Sequence, residues 1–223
     1  MLMNNLTRSF TTILSFFALT FFTGCDTAET TDGTVSVSFA PSVVTQKVSD
    51  DTIQLDIVKI LLRDIKIKNQ SGNDEMNIKV GPFVVNLNLA GMTTNFAVNN
   101  VPPGSYDRIR FRVHTLEDSE IPPDPEFKEG SLRYSVIVKG MYNSVPFVYK
   151  SKKSAHQDLK LETPIQVADN STANLTITVD PLNWFYKDSV LMDPNDPANE
   201  NDINNNIEHS FKKCFRDDDG DGK

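Results

Sequence analysis

The chain has 223 residues, 39% hydrophobic and 23% charged, enough for one sizeable core or two small ones. Its formal net charge of −8 argues against nucleic acid as a partner and against an electrostatic patch for anionic lipid. Two cysteines in the whole chain exclude a dense disulfide framework.

The first segment, "MLMNNLTRSFTTILSFFALTFFTG", carries one positive side chain, Arg8, and then an uncharged apolar run from about Ile13 to Phe22. That layout is a secretory signal peptide over residues 1–24. The run is about half the roughly 20 residues that a membrane-spanning helix needs. It ends in Phe22-Thr23-Gly24-Cys25, which resembles the lipobox of bacterial lipoproteins. The resemblance implies diacylglyceryl transfer to the Cys25 thiol, cleavage before it, and a mature chain that begins there. Acyl chains contribute about 0.8 kcal/mol per buried methylene, so two or three together moor a protein to a bilayer. The expected address is therefore the cell envelope, with the membrane as a partner through the N-terminal lipid and inner versus outer membrane left open. "CDTAETTDG" (25–33) reads as a solvated tether. Without residues 1–24 the chain keeps 30 acids and loses one Arg, so the mature balance is more acidic still. With Cys25 committed to lipid, Cys214 has no internal partner and reads as a small apolar residue on a helix face, or as an intermolecular thiol.

From Gly33 the dominant period is two. "TVSVSF" sets Val35, Val37 and Phe39 against Thr34, Ser36 and Ser38, a strand with one face on a core. "IQLDIVKILLRDIKIK" (53–68) is rich in Ile and Val and predicts a long strand bent at a bulge near Val58–Ile60. After turn residues at 69–74 come "FVVNLNL" (83–89), a turn at Ala90-Gly91, and "TNFAV". "VPPGSYDRIRFRV" makes a tight turn at Pro102-Pro103-Gly104, then alternates Tyr106, Ile109, Phe111 and Val113 with Arg108, Arg110 and Arg112. Three arginines on one strand face are either an anion site or a solvated face paired with acids. Residues 116–130 hold three prolines and six acids and read as a surface loop. "SLRYSVIVKGMY" and "VPFVYKS" around Asn143-Ser144 predict a hairpin, followed by alternating strands over 158–167 and 173–181.

Nine or ten strands with turn signals between them predict an all-β fold, an antiparallel Greek-key β-sandwich over 34–185. The "VSVSF" strand, the Pro-Gly-x-Tyr-x-x-Ile-Arg stretch ending at Arg110, and "LTITVD" resemble a class of bacterial surface lipoproteins. The resemblance implies a transthyretin-like or carbohydrate-binding-like sandwich, immunoglobulin-like in layout, mostly without known activity.

The segment 186–223 changes character. The aromatics around Trp184 read as a lid over the sandwich end or a platform for sugars. Ile203, Ile207, Phe211, Cys214 and Phe215 form a helical stripe, predicting one short C-terminal α-helix over about 202–216, with Asp202 as N-cap and Lys212, Lys213 and Arg216 at its negative end. Directly behind it, Asp217, Asp219, Asp221 and Gly222 reproduce the first six positions, D-x-D-x-D-G, of an EF-hand-type calcium loop. Half a loop supplies about four of the 6 to 8 oxygens that Ca²⁺ takes. The expected additional donors are Asp193, Asp196 and Glu200 in the acidic stretch upstream.

No nucleophile-elbow, zinc-protease, phosphate-loop or C-x-x-C motif occurs, and the histidines stand apart at 114, 156 and 209. The expectation is a non-enzymatic, lipid-anchored binding or structural module stabilised by Ca²⁺, with an unidentified protein or glycan partner. The alternatives are a periplasmic copper sandwich, since some such proteins share a Gly-x-Tyr-x-x-Ile strand and a late tryptophan and this chain has His114, His156 and six Met, or a hydrolase.

Overall fold

The computed structural model describes residues 31–42, 52–70, 75–91 and 93–222. The signal segment, Cys25 and the tether up to residue 30 lie outside the described residues. In chain order the strands are β1 (Gly33–Pro41), β2 (Ile53–Asn69), β3 (Glu75–Asn86), β4 (Thr94–Val101) and β5 (Gly104–Val113). A two-residue ladder follows, β6 (Lys128–Glu129) with β7 (Leu132–Arg133), then β8 (Val136–Tyr142), β9 (Val145–Ser151), β10 (Ala155–Val167) and β11 (Thr172–Val179). The last elements are β12 (Tyr186–Lys187), β13 (Val190–Leu191), the helix α1 (Glu200–Glu208) and β14 (Phe211–Arg216). One sheet runs β14-β11-β1-β4; the other runs β10-β5-β2-β8-β9, with β3 also paired to β2. Their inward faces close on a single core that includes Phe39, Ile60, Ile109, Leu175 and Trp184. Among the described residues the fold is the expected all-β sandwich with one short helix.

One pairing departs from a purely antiparallel sandwich: β1 and β11 run parallel over Thr34–Pro41 and Thr172–Val179. The long strand β2 carries irregularities at Leu55/Ile57, around Asp64 and, at its end, between Lys68 and Asn69, rather than one near Val58–Ile60. The first two shift the side-chain alternation, so Val58, Ile60 and Leu62 face the core before the second and Ile65 and Ile67 after it. Asp64 takes a positive φ of 52° there, and its Oδ1 accepts the Gly81 N–H at 3.0 Å across the pair.

Strands β5 and β8 lie end to end along one edge of β2. Leu61 donates its N–H to the Ser135 carbonyl and accepts the His114 N–H, so the stretch 114–135 is an excursion between two collinear strands. The expected loop is more ordered than its composition suggests. It folds onto the outer sheet face and buries Leu116, Phe127 and Tyr134 against Leu61 and Ile137 as a second small cluster. Its acids anchor it: Asp124 and Glu126 meet Lys59 at 2.7 and 3.4 Å, Glu126 meets Lys139, and Glu120 meets Arg63. The predicted hairpin is present, with Asn143 and Ser144 at φ 48° and 65°, the left-handed pair that a two-residue turn requires.

The stretch from Tyr186 to Cys214 contributes to the same core. Leu191, Met192, Ile203, Ile207, Phe211 and Cys214 all join it. The predicted helix over 202–216 is corrected: α1 stops at Glu208, and Phe211, Cys214 and Phe215 lie on β14, paired with β11. A register shift between Thr178 and Val179 inserts one residue opposite β11, so Phe211 and Cys214, three apart, are both buried. That bulge turns a strand's period of two into an apparent helical spacing. Asp202 is not the cap; Asn199 stands at the helix start, while Asp202 ion-pairs with Lys187 at 2.8 Å. Lys212, Lys213 and Arg216 belong to the strand. Burial pushes the Cys214 thiol up to about 12, leaving it an inert apolar residue on a strand.

Candidate metal centre

Strand β14 delivers Asp217 to the outer face of the first sheet, above Thr176 of β11. Its N–H continues the ladder to the Asn174 carbonyl at 2.9 Å. The chain then folds back, with Gly220 and Gly222 at φ 71° and 77°, a conformation that a Cβ would strain. The Thr93 hydroxyl donates to the Gly220 carbonyl at 2.8 Å and holds the loop against the segment leading into β4.

Within this loop one oxygen from each of Asp217, Asp219 and Asp221 lies within 4.8 Å of the others. Asp218, the even member of the run, turns away to Arg216 at 2.7 Å. The alternate-carboxylate convergence read from the spacing is therefore present. Asp217 is buried and the other two are exposed. The Asp217 carboxylate is organised: Oδ1 accepts the N–H groups of Gly220 and Asp221 at 3.0 and 3.2 Å, and Oδ2 accepts the Thr176 hydroxyl at 2.7 Å and the Gly222 N–H at 3.1 Å. Burial is the largest influence on its pKa and pushes it up. The Thr176 hydroxyl and the loop N–H groups outweigh it, so the carboxyl sits below the usual range.

Three anionic oxygens suit a hard divalent cation. Each pair of full charges about 5 Å apart repels by about 1 kcal/mol in water, a cost that a cation between them removes. The donors proposed from upstream are not part of the cluster. Asp193 Oδ1 accepts the Asn195 N–H at 2.8 Å, Asp196 Oδ1 accepts the Ala198 N–H at 2.9 Å to cap a short turn, and Glu200 begins α1. A cation at the triad thus takes its remaining ligands from water or backbone. Sequence reasoning missed Thr176 and Thr93. The alternation of "LTITV" marked Thr176 as outward-facing, but not that the tail would cross it.

The other sequence candidates separate. His114 is buried, with Nε2 at 2.8 Å from Glu120 Oε2 and 3.5 Å from Arg63 Nη1. His156 is exposed beside Arg112 on the neighbouring strand. Among the described residues the aspartate triad is the one group of three or more His, Cys, Asp or Glu placed to hold a metal, and neither histidine belongs to it. Trp184 is fully buried, with Asn206 Nδ2 donating to the carbonyls of Trp184 and Tyr186, which makes it core rather than a sugar platform. The arginine row is paired: Arg108 and Arg110 with Asp158, Arg110 also with Glu75, and Arg112 with Asp64.

No protein-family model and no curated relative matches the sequence. Among solved structures, MbnP from Methylosinus trichosporium aligns with a TM-score of 0.42 and 11% identity, over 71% of this chain and 78% of that one. On their own strand order, the described residues form an all-β sandwich with one short helix and a candidate metal loop after β14.

Proposed function

We propose that this protein is a non-enzymatic, lipid-anchored component of the cell envelope whose sandwich serves as a binding or structural module, with Ca²⁺ at Asp217, Asp219 and Asp221 fastening the C-terminal tail. The observation that carries the metal part is the triad itself: three alternate carboxylates converge where the D-x-D-x-D-G spacing says they should. The anchor rests on the sequence "FFTGC" behind an apolar run. Three converging carboxylates suit a site of the 10⁻⁴ to 10⁻³ M kind found in extracellular modules.

Calcium titration of the purified protein tests this. At 10 mM Ca²⁺, such affinities stabilise the folded state by about 1.4 to 2.7 kcal/mol, a rise of roughly 3 to 10 °C in Tm for a domain of this size. Protease cleavage within the tail should slow in parallel, with Mg²⁺ much less effective. An unchanged Tm together with unchanged cleavage would remove calcium from the account.

A further inference from the structure

We infer that the outer face of the β10-β5-β2 sheet is a docking surface for an anionic bilayer. Although the chain as a whole is acidic, seven of its 22 Lys and Arg stand in rows on this face. In register, Lys68, Arg108 and Lys160 stand side by side across the three strands; the next row is Lys66, Arg110 and Asp158. Above it Arg63, Arg112 and His156 form a third. Seven Lys and Arg therefore face five acids, Asp64, Glu75, Glu117, Glu120 and Asp158, and the face is net positive while the chain is −8.

Like charges directly opposite one another across strands are destabilising. The row nearest the chain's entry has three cations in a line; Glu75 of β3 stands opposite Lys68 but pairs with Lys66 and Arg110 instead, and among the described residues Lys68 and Lys160 enter no ion pair. A face selected only for solubility would alternate signs there, as the middle row does with Asp158. Repeated phosphates on a flat anionic surface match three flat rows of cations better than any enclosed ligand does.

The position of the tether selects the occupant. Gly33 enters the fold against Val167, the last residue of β10, which lies opposite Gly104 at the start of β5. Arg108 is four residues along that strand, about 13 Å away. Residues 26–32 can extend at most about 25 Å. Given the anchor at Cys25, which this choice of partner rests on, the basic rows are held within reach of the headgroups.

The test uses the full chain with Cys25→Ser, which removes acylation, so its result does not depend on the anchor. Sedimentation with phosphatidylglycerol-rich vesicles should exceed that with pure phosphatidylcholine vesicles, and 0.5 M salt should abolish the difference. Each of Lys68→Glu and Lys160→Glu, a change of two charges, should weaken the anionic partition about thirtyfold, while Lys213→Glu on the other sheet should leave it unchanged. Lys68→Gln and Lys160→Gln serve if the reversals fail to fold, with a smaller loss in the same direction. Equal binding to both vesicle types, insensitivity to Lys68 and Lys160, or retention by soluble polyphosphate with no vesicle binding would each overturn the inference.

Discussion

Replacing Asp217 by Ala is expected to undock the C-terminal loop from the sheet. Four donors converge on this one carboxylate: the Thr176 hydroxyl and the N–H groups of Gly220, Asp221 and Gly222. Hydrogen bonds to a charged acceptor contribute about 1.5 to 3 kcal/mol each, and they are not additive here because the tail can peel away. The loss is therefore limited by the docking free energy of the loop, on the order of 2 to 4 kcal/mol. Asp217→Asn discriminates further. It retains one acceptor oxygen but points an NH₂ group at two existing donors, so it should fall between wild type and Ala. Amide hydrogen exchange at Gly220 and Gly222 reads the effect directly and should accelerate in both variants. The pH dependence has a fixed sign. A carboxyl whose folded pKa lies below its unfolded value stabilises fully above the ordinary aspartate value near 3.9, and the contribution is lost as pH falls through the folded pKa. Protection of the loop amides, relative to their intrinsic exchange rate at each pH, should accordingly fall below about pH 4 and be flat from 5 to 8.

Gly140→Ala should be the most damaging single-methyl addition in the β8-β9 arm. A Cβ there would lie 2.0 Å from the backbone carbonyl oxygen of Gln54 and 3.1 Å from the Phe147 ring. The clash is with backbone in the paired strand, so no side-chain rotation relieves it. Either β2 and β8 part at their irregularity beside Leu55, or the arm unfolds. The expected cost is about 3 kcal/mol or more, read as a lowered denaturation midpoint. A midpoint within 0.5 kcal/mol of wild type would mean that the two strands do not approach as described.

The legible parts of the sequence were those where one local rule decides. Asn143-Ser144 between two alternating runs encodes its hairpin through two left-handed residues. Tyr106, four residues after Pro102, was legible as a core position. Its hydroxyl donates to the Pro102 carbonyl at 2.8 Å and pins the turn before β5, a bond that alternation alone could not reveal. The aspartate triad was legible because the spacing of its ligands is local.

Legibility failed where tertiary pairing overrode local pattern. The stripe from Ile203 to Phe215 matched a helix until the open edge of β11 captured its second half, and the bulge supplied the misleading spacing. Asp193 and Asp196 were assigned to the metal by composition, yet each is spent on a turn of its own. The basic face escaped notice because it is assembled from three strands. Arg108, Arg110 and Arg112 showed one row in the sequence, while Lys66, Lys68 and Lys160 join them only through register. Net charge, which argued against any lipid-facing patch, averages over the segregation that matters.

The proposed placement at a membrane turns on the thiol at position 25. Cells expressing the protein should incorporate radiolabelled palmitate into it and recover it with the membrane fraction, and Cys25→Ser should abolish the label and shift most of the protein to an unprocessed or soluble form. Wild-type protein that takes up no label would contradict the account at its base.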